Sequence, residues 1–265
     1  MKIAITSDIH YDLIHTQSDM DDFIKFINSI ESKEPEVLII AGDIVGLGWS
    51  KIEECLSQFE KICKERLMVF GNHDYWSADR NTFKHLDILE GKIKNCGFHL
   101  LDRNPKIINN IGFAGNCCWY DYSFANTQFS ANSSYEKKIL NGQITWNDAL
   151  FIRLGKTDIE YTTELLQKLE TDIMSIEDKV KLIFIVTHHI GFQEMILKKE
   201  NDTEWNFNNA FQGTKSLGEM LLKHPKVKCH ICGHTHSKSQ IKIGNLLSLN
   251  PGSTYQKKRY VIINI

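Results

Sequence analysis

Nine polar residues have the types and spacing to do chemistry together: Asp8 and His10, Asp43, Asn72-His73-Asp74, His188, and His234 with His236. Imidazole, carboxylate and amide groups in one set suit Mn, Fe, Zn, Co or Ni better than Mg alone. A carboxylate that bridges lets two cations share a site, and Asp43, alone between the turn glycines Gly42 and Gly46, suits that role. Asp8 and His10 stand two apart, so an extended backbone would point both to one side. His234 and His236 have the same spacing and could serve one ion or two. Two ions about 3.5–4 Å apart bind a phosphoryl group and activate water for in-line attack. His73 is not required as a ligand and is free to protonate the leaving oxygen, with Asp74 beside it to orient the ring. Taken alone, Gly71-Asn72-His73-Asp74 could be an ordinary strand-to-loop corner.

The elements that must position these residues end in the same way. Apolar runs at Lys2–Thr6, Val37–Ala41, Leu67–Phe70, Lys181–Val186 and Val227–Ile231 each read as a strand and each lead into part of the set. Five of the eleven histidines (His10, His73, His188, His234 and His236) lie at these strand ends, a distribution that scattered histidines would not produce. Helical spacing marks Asp19–Ser32 (Met20, Phe23, Phe26, Ile27, Ile30), Ile52–Cys63 (Ile52, Leu56, Phe59, Ile62), Thr82–Gly91, Asp158–Met174 and Lys215–Lys223. Strands alternating with helices predict βαβ units and a largely parallel sheet. In such sheets ligands bind outside the carboxyl ends of the strands, so distant segments converge at one edge. Shorter strands are expected at Phe98–Leu101, Lys106–Ile108, Ile111–Ala114, Ser239–Ile243, Leu246–Leu249 and Arg259–Ile263, with a polar loop over Asn201–Gly213. A stretch from 116 to about 156, rich in Asn, Ser and aromatics, reads as an irregular insertion in one 265-residue domain.

Hydrophobic residues make up 42% and charged residues 24%, the profile of an ordinary globular chain, and a net charge of -2 advertises no general nucleic-acid or membrane surface. No apolar run approaches a membrane span, and the N-terminus begins as a strand rather than a secretory signal. Seven scattered cysteines, an odd number, predict a reduced, cytoplasmic protein.

Asp8-x-His10, Gly42-Asp43, Gly71-Asn72-His73-Asp74, His188 and Gly233-His234-x-His236 together resemble the five signature motifs of the calcineurin-like metallophosphoesterase superfamily, in the family's order. The resemblance implies an α/β/β/α sandwich of two mixed sheets with helices outside. It implies Asp8, His10 and His236 on a first metal, Asp43 bridging, Asn72, His188 and His234 on a second, and His73 as the catalytic acid. A metal-bridging hydroxide would be the nucleophile, with no covalent enzyme intermediate. Where the family often has Pro after the His-x of its fourth motif, this chain reads His188-His189-Ile190-Gly191. His188, the first to leave the strand, is the expected ligand, and His189 is expected to back it or to face solvent.

Cys229-x-x-Cys232 lies within an apolar strand without a second cysteine pair, so both are expected as buried thiols, as are Cys117 and Cys118. The aromatics of Trp119–Phe124 allow two readings: a hydrophobic cluster beneath a long loop, or a rim that stacks on a flat leaving group, with Tyr120 foremost. The loop Trp205-Asn206-Phe207-Asn208-Asn209 is a second candidate wall. The lysine clusters 137–138, 198–199 and 257–258 with Arg259 are expected as solvated faces.

The expected activity is therefore hydrolysis of phosphomonoesters or phosphodiesters by a pair of divalent or trivalent ions, Mn or Fe foremost. The substrate class spans nucleotides, cyclic nucleotides, other phosphorylated metabolites and phosphoproteins. A non-catalytic scaffold of the same fold is one rival, although His73 is retained. A metal-dependent nuclease is the other, and it would want a basic groove.

Overall fold

In the computed structural model, residues 1–125, 129 and 132–265 are described. The parts of the 116–156 stretch at 126–128 and 130–131 lie outside the described residues. The strands in chain order are β1 (Lys2–Thr6), β2 (Val37–Ala41), β3 (Glu65–Val69), β4 (His99–Leu100), β5 (Lys106–Ile108), β6 (Ile111–Asn116), β7 (Ile139–Leu140), β8 (Gln143–Ile144), β9 (Leu182–Thr187), β10 (Val227–Ile231), β11 (Ser239–Ile243), β12 (Leu246–Asn250) and β13 (Tyr260–Asn264). The helices are α1 (Gln17–Glu31), α2 (Ile52–Ser57), α3 (Thr82–Asn95), α4 (Asp148–Phe151), α5 (Asp158–Glu177), α6 (Thr203–Asn208) and α7 (Lys215–Lys223).

Two mixed sheets form. One runs β13-β1-β2-β3-β4, parallel from β1 to β4 with β13 antiparallel on β1. The other runs β11-β12-β10-β9-β6-β5, with a parallel centre and antiparallel edges. Alternate residues of each strand enter different cores, as the twofold side-chain period of a strand requires. Ile3, Ile39, Leu67 and Val69 meet Phe113, Phe184, Val186 and Ile231 between the sheets. Ala4, Leu38, Ile40 and Met68 face the other way, onto α1, α2 and α3. Ile183 and Ile185 face α5 and α7. Burial on both faces is why these strands read as unbroken apolar runs. The result is the expected α/β/β/α sandwich.

Helix entry follows local chemistry. Thr16 and Asp19 form a capping box on α1, and Thr157 and Glu160 form one on α5. The 52–63 segment departs from expectation: α2 ends at Ser57, and Phe59 and Ile62 are then buried by turns in which each N–H reaches back three residues. Asn201–Gly213 is also not a plain loop. The Asp202 carboxylate accepts from Trp205 N–H at 2.9 Å, caps α6, and a tight turn at Asn209–Phe211 follows. Among the described residues no helix is long and apolar enough to cross a membrane.

Candidate metal centre

β1, β2, β3, β9 and β10 all deliver their carboxyl ends to one edge, where the two sheets meet. His188 Nδ1 lies 2.8 Å from the carbonyl of Ala41, so the last residue of β2 and the residue just after β9 touch across the sandwich. Donor atoms of Asp8, His10 and His236 lie within 4.8 Å of one another, and so do those of Asp43, His188 and His234. His188 Nε2 is 3.2 Å from Asn72 Oδ1 and 3.1 Å from His234 Nδ1. Asp43 Oδ2 stands 3.5 Å from His10 Nε2 and 3.2 Å from His188 Nε2, between the two groups. Its Oδ1 accepts the backbone N–H of His73 at 2.8 Å. All seven residues expected as ligands are thus brought together.

The backbone that achieves this is strained. Asp8, His10, Asp43, His234 and His236 all have positive φ, between 43° and 70°. Non-glycine residues in that region cost of order 1–3 kcal/mol each and cluster at functional sites. The expected extended backbone from Asp8 to His10 is therefore a left-handed turn. It is pinned by Asp8 N–H on Gly42 O and His10 N–H on Asp43 O, each at 3.0 Å. Gly42 is needed for its φ of 83°. Gly71 is needed for closeness, since a Cβ there would sit 2.1 Å from Asp43 Oδ1.

The donor set fits metal ions. Among the described residues both ring nitrogens of His10 are buried and find no hydrogen-bond partner, an arrangement costly for a polar group unless something else engages it. Burial drives the His10 and His234 imidazoles well below their ordinary value, leaving neutral rings with a lone pair to offer. Burial opposes charge on His188 as well, but Asp43 beside it raises that ring to about 9. Burial would likewise raise Asp43, yet the His188, His73 and His10 rings hold its carboxyl well below the usual carboxylate range. A cation bound here would take over that compensation and release the His188 proton.

His73 lies at the mouth of the same cluster, its ring 4.6 Å from that of His10 and 3.8 Å from the indole of Trp76. Asp74 does not serve as its expected orienting partner. Its carboxylate accepts four backbone N–H groups, from Asp43, Ile44, Val45 and Gly71, at 2.8–3.1 Å. Burial and the charge of Asp43 push it up to about 8, against the pull of those donors. Its work is to hold the β2 and β3 ends together. His189 sits behind the cluster, with Nδ1 3.1 Å from Cys117 O and its ring 4.3 Å from that of His234. Burial first, then His188, lower it to about 4.

Of the two readings of the Trp119–Phe124 aromatics, the buried cluster holds for Tyr120 and Trp119, which lie fully buried beneath the site. Cys117, Cys118, Cys229 and Cys232 are buried free thiols. A chamber of about 270 Å³ opens over the cluster, walled by Trp146, Leu197, Trp205, Asn208, Gln212 and Tyr255. The 205–209 segment is thus a wall, as one sequence reading had it. A larger groove, about 900 Å³, lies beyond Tyr255 and touches none of the ligand set. Sequence reading missed Tyr255, which lies 4.7 Å from the His10 ring and 4.6 Å from that of His236. It also missed Asp148, whose carboxylate accepts the side-chain N–H of Asn72 at 3.0 Å. No periodicity or motif marks either.

A search of curated protein sequences found no match. Among solved structures, the chain resembles phosphopantetheinyl hydrolase from Mycobacterium tuberculosis (17% identity, TM-score 0.73, covering 98% of this chain and 95% of that one). It also resembles a dimetal phosphatase from Danio rerio (13% identity, TM-score 0.58, 97% and 88% covered). At these identities the likeness speaks for the fold. The family model described as calcineurin-like phosphoesterase matches residues 1–238. With that match spanning the whole ligand set, from Asp8 to His236, the chain belongs to the calcineurin-like phosphoesterase family.

Proposed function

We propose that this protein is a dinuclear metal-dependent phosphoesterase that releases a small, uncharged leaving group from a phosphate ester. The observation that supports this best is Asp43 Oδ2, which faces an imidazole of each donor group from one oxygen. Asp8, His10 and His236 would hold the first ion, and Asn72, His188 and His234 the second, with Asp43 shared. Mn and Fe suit these ligands, as do Zn, Co and Ni. When bound, such a pair neutralises phosphoryl charge and activates water.

The chain's own residues do the rest. His73, at the chamber mouth, protonates the departing oxygen through its imidazole N–H. Trp76 holds that ring by stacking, and the walls of Trp146, Leu197 and Trp205 exclude water from the leaving group. Among the described residues the chamber lining includes no lysine or arginine, which disfavours a polyanionic substrate such as nucleic acid and favours a phosphorylated metabolite. The amides of Asn209 and Gln212 supply hydrogen bonds to a polar but uncharged arm, while that of Asn208 is held by Thr145. A pantetheine arm, built around amides, has that chemistry, and one structural neighbour is named a phosphopantetheinyl hydrolase. The free cysteines fit a reducing, cytoplasmic setting.

The test is hydrolysis of para-nitrophenyl phosphate, its bis ester, 5′-nucleotides and a phosphopantetheine ester, with Mn²⁺ and after chelation. Turnover that needs metal is expected. His73→Ala should retain bound Mn²⁺ and lose about 10²–10⁴ in rate, the usual contribution of a positioned acid. No hydrolysis on the panel by metal-loaded protein would refute the reading.

A further inference from the structure

The Asp148 carboxylate is 2% exposed and collects four side-chain donors. Oδ1 accepts Asn72 Nδ2–H at 3.0 Å and Trp76 Nε1–H at 2.7 Å. Oδ2 accepts the Tyr120 hydroxyl at 2.9 Å and Trp146 Nε1–H at 2.8 Å. An ionised carboxylate has about four acceptor sites, so every one is used. The donors belong to separate parts of the site: a metal ligand, the indole stacked on His73, a core tyrosine and a chamber wall.

The first of these contacts has a chemical consequence. An asparagine amide can present either its oxygen or its NH₂ in a given direction, and only the oxygen can bind a cation. Asp148 can accept only from the NH₂ end. With Nδ2 held there, Oδ1 is left 3.2 Å from His188 Nε2, facing the second donor group. In a chain without Asp148, only His188 Nε2 among the described residues would favour the oxygen end of the amide, and a ring nitrogen that binds an ion has no proton to donate there.

We propose that Asp148 is the positioning residue of the metal centre: it selects the metal-binding face of Asn72 and, through Trp76, holds the ring stack on His73. This rests on the dinuclear reading above. An asparagine at 148 would keep one acceptor oxygen, and its NH₂ would face either Asn72 and Trp76 or Trp146 beside the Tyr120 hydroxyl, so at least one indole N–H loses its acceptor even in this isosteric change.

Isothermal titration of Mn²⁺ tests the proposal without reference to turnover. Wild type is expected to bind two ions, and Asp148→Asn to keep the first and bind the second about 10- to 100-fold more weakly, the usual effect of removing a ligand's orienting partner. Tyr120→Phe removes one Asp148 donor but leaves Asn72 held; it should lower the melting temperature and keep both affinities within about twofold of wild type. In wild type, the Asn72 side-chain amide proton held on Asp148 should resonate downfield of those of exposed asparagines and exchange with solvent at least about tenfold more slowly, with and without Zn²⁺, a reading that does not depend on any variant folding. Two unchanged affinities in Asp148→Asn, or Asn72 side-chain amide protons in wild type that exchange with solvent as fast as those of an exposed asparagine, would overturn the proposal alone. Fewer than two Mn²⁺ on wild type would overturn the dinuclear reading and this inference with it.

Discussion

The indole of Trp76 lies nearly parallel to the imidazole of His73, with centroids 3.8 Å apart and planes at 25°. Its Nε1 is fixed on Asp148 at 2.7 Å. The ring of the proposed acid is therefore set by an aromatic platform three residues on, while the adjacent carboxylate of Asp74 braces the backbone. Trp76→Leu should lower kcat about 10- to 100-fold, the scale of a small misplacement of a reacting group, with metal content unchanged. In a His73→Ala background the same substitution should do almost nothing more, since groups acting as a unit are not additive. Steady-state kinetics of the two single variants and the double variant check this.

Gly71→Ala should be far more harmful than a helix-interior Gly→Ala change. Its Cβ would collide with both Oδ1 and the backbone nitrogen of Asp43, and backbone cannot move aside cheaply. A loss of at least about 2 kcal/mol is expected from overpacking. Weaker Mn²⁺ binding should accompany it, because Asp43 faces both donor groups. Chemical denaturation and metal titration read the two effects separately.

Trp205→Ala opens the chamber wall formed by α6. For a substrate whose leaving group fills the chamber, KM should rise about tenfold, roughly 1.4 kcal/mol of contact. For methyl phosphate, which leaves the wall untouched, KM should stay within about twofold. A substrate series of increasing leaving-group size checks this.

Metal should stabilise the folded chain, because the ligands come from strands that converge only on folding. Adding Mn²⁺ at about a hundredfold over its dissociation constant should add about 2.7 kcal/mol. Excess chelator should reverse the gain. Thermal unfolding with and without EDTA is the measurement.

His230 gives a pH signature outside the ligand set. It is fully buried, with Nε2 2.8 Å from the Thr187 hydroxyl and Nδ1 2.8 Å from that of Ser248. Burial lowers it to about 3, against 6.5 for the ordinary value. Below 6.5 the unfolded chain takes up a proton that the folded chain refuses. Stability from this group is therefore complete above pH 6.5 and falls as pH drops toward 3, by about 1.4 kcal/mol per unit. His230→Gln should flatten the decline between pH 6 and 4 by about one proton, measured by urea unfolding.

The strands were legible because both of their faces are buried, which writes a near-continuous apolar run into β1, β2 and β9. The helix expected over Ile52–Cys63 was legible only as a buried stripe, since tight turns can bury Phe59 and Ile62 at the same spacing. Asn201–Gly213 hid α6, because a helix of six residues carries too short a period to rise above its polar composition. Tyr120 was ambiguous for another reason. An aromatic beside a long loop can face the substrate or the core, and only the hydrogen bond to Asp148 separates the two.

By itself the sequence determined which side chains end the strands, and that was enough to name a metal-binding edge, because ligand chemistry belongs to residue types. Tertiary structure alone decided how those side chains are aimed. It turned Asp8, His10, Asp43, His234 and His236 into left-handed backbone, gave Asp74 to four backbone N–H groups, and placed Asp148 against Asn72, 76 residues away. A hydrogen bond between residues so far apart leaves no periodicity and no spacing in the chain. It exists only once the folded core has brought its two ends together.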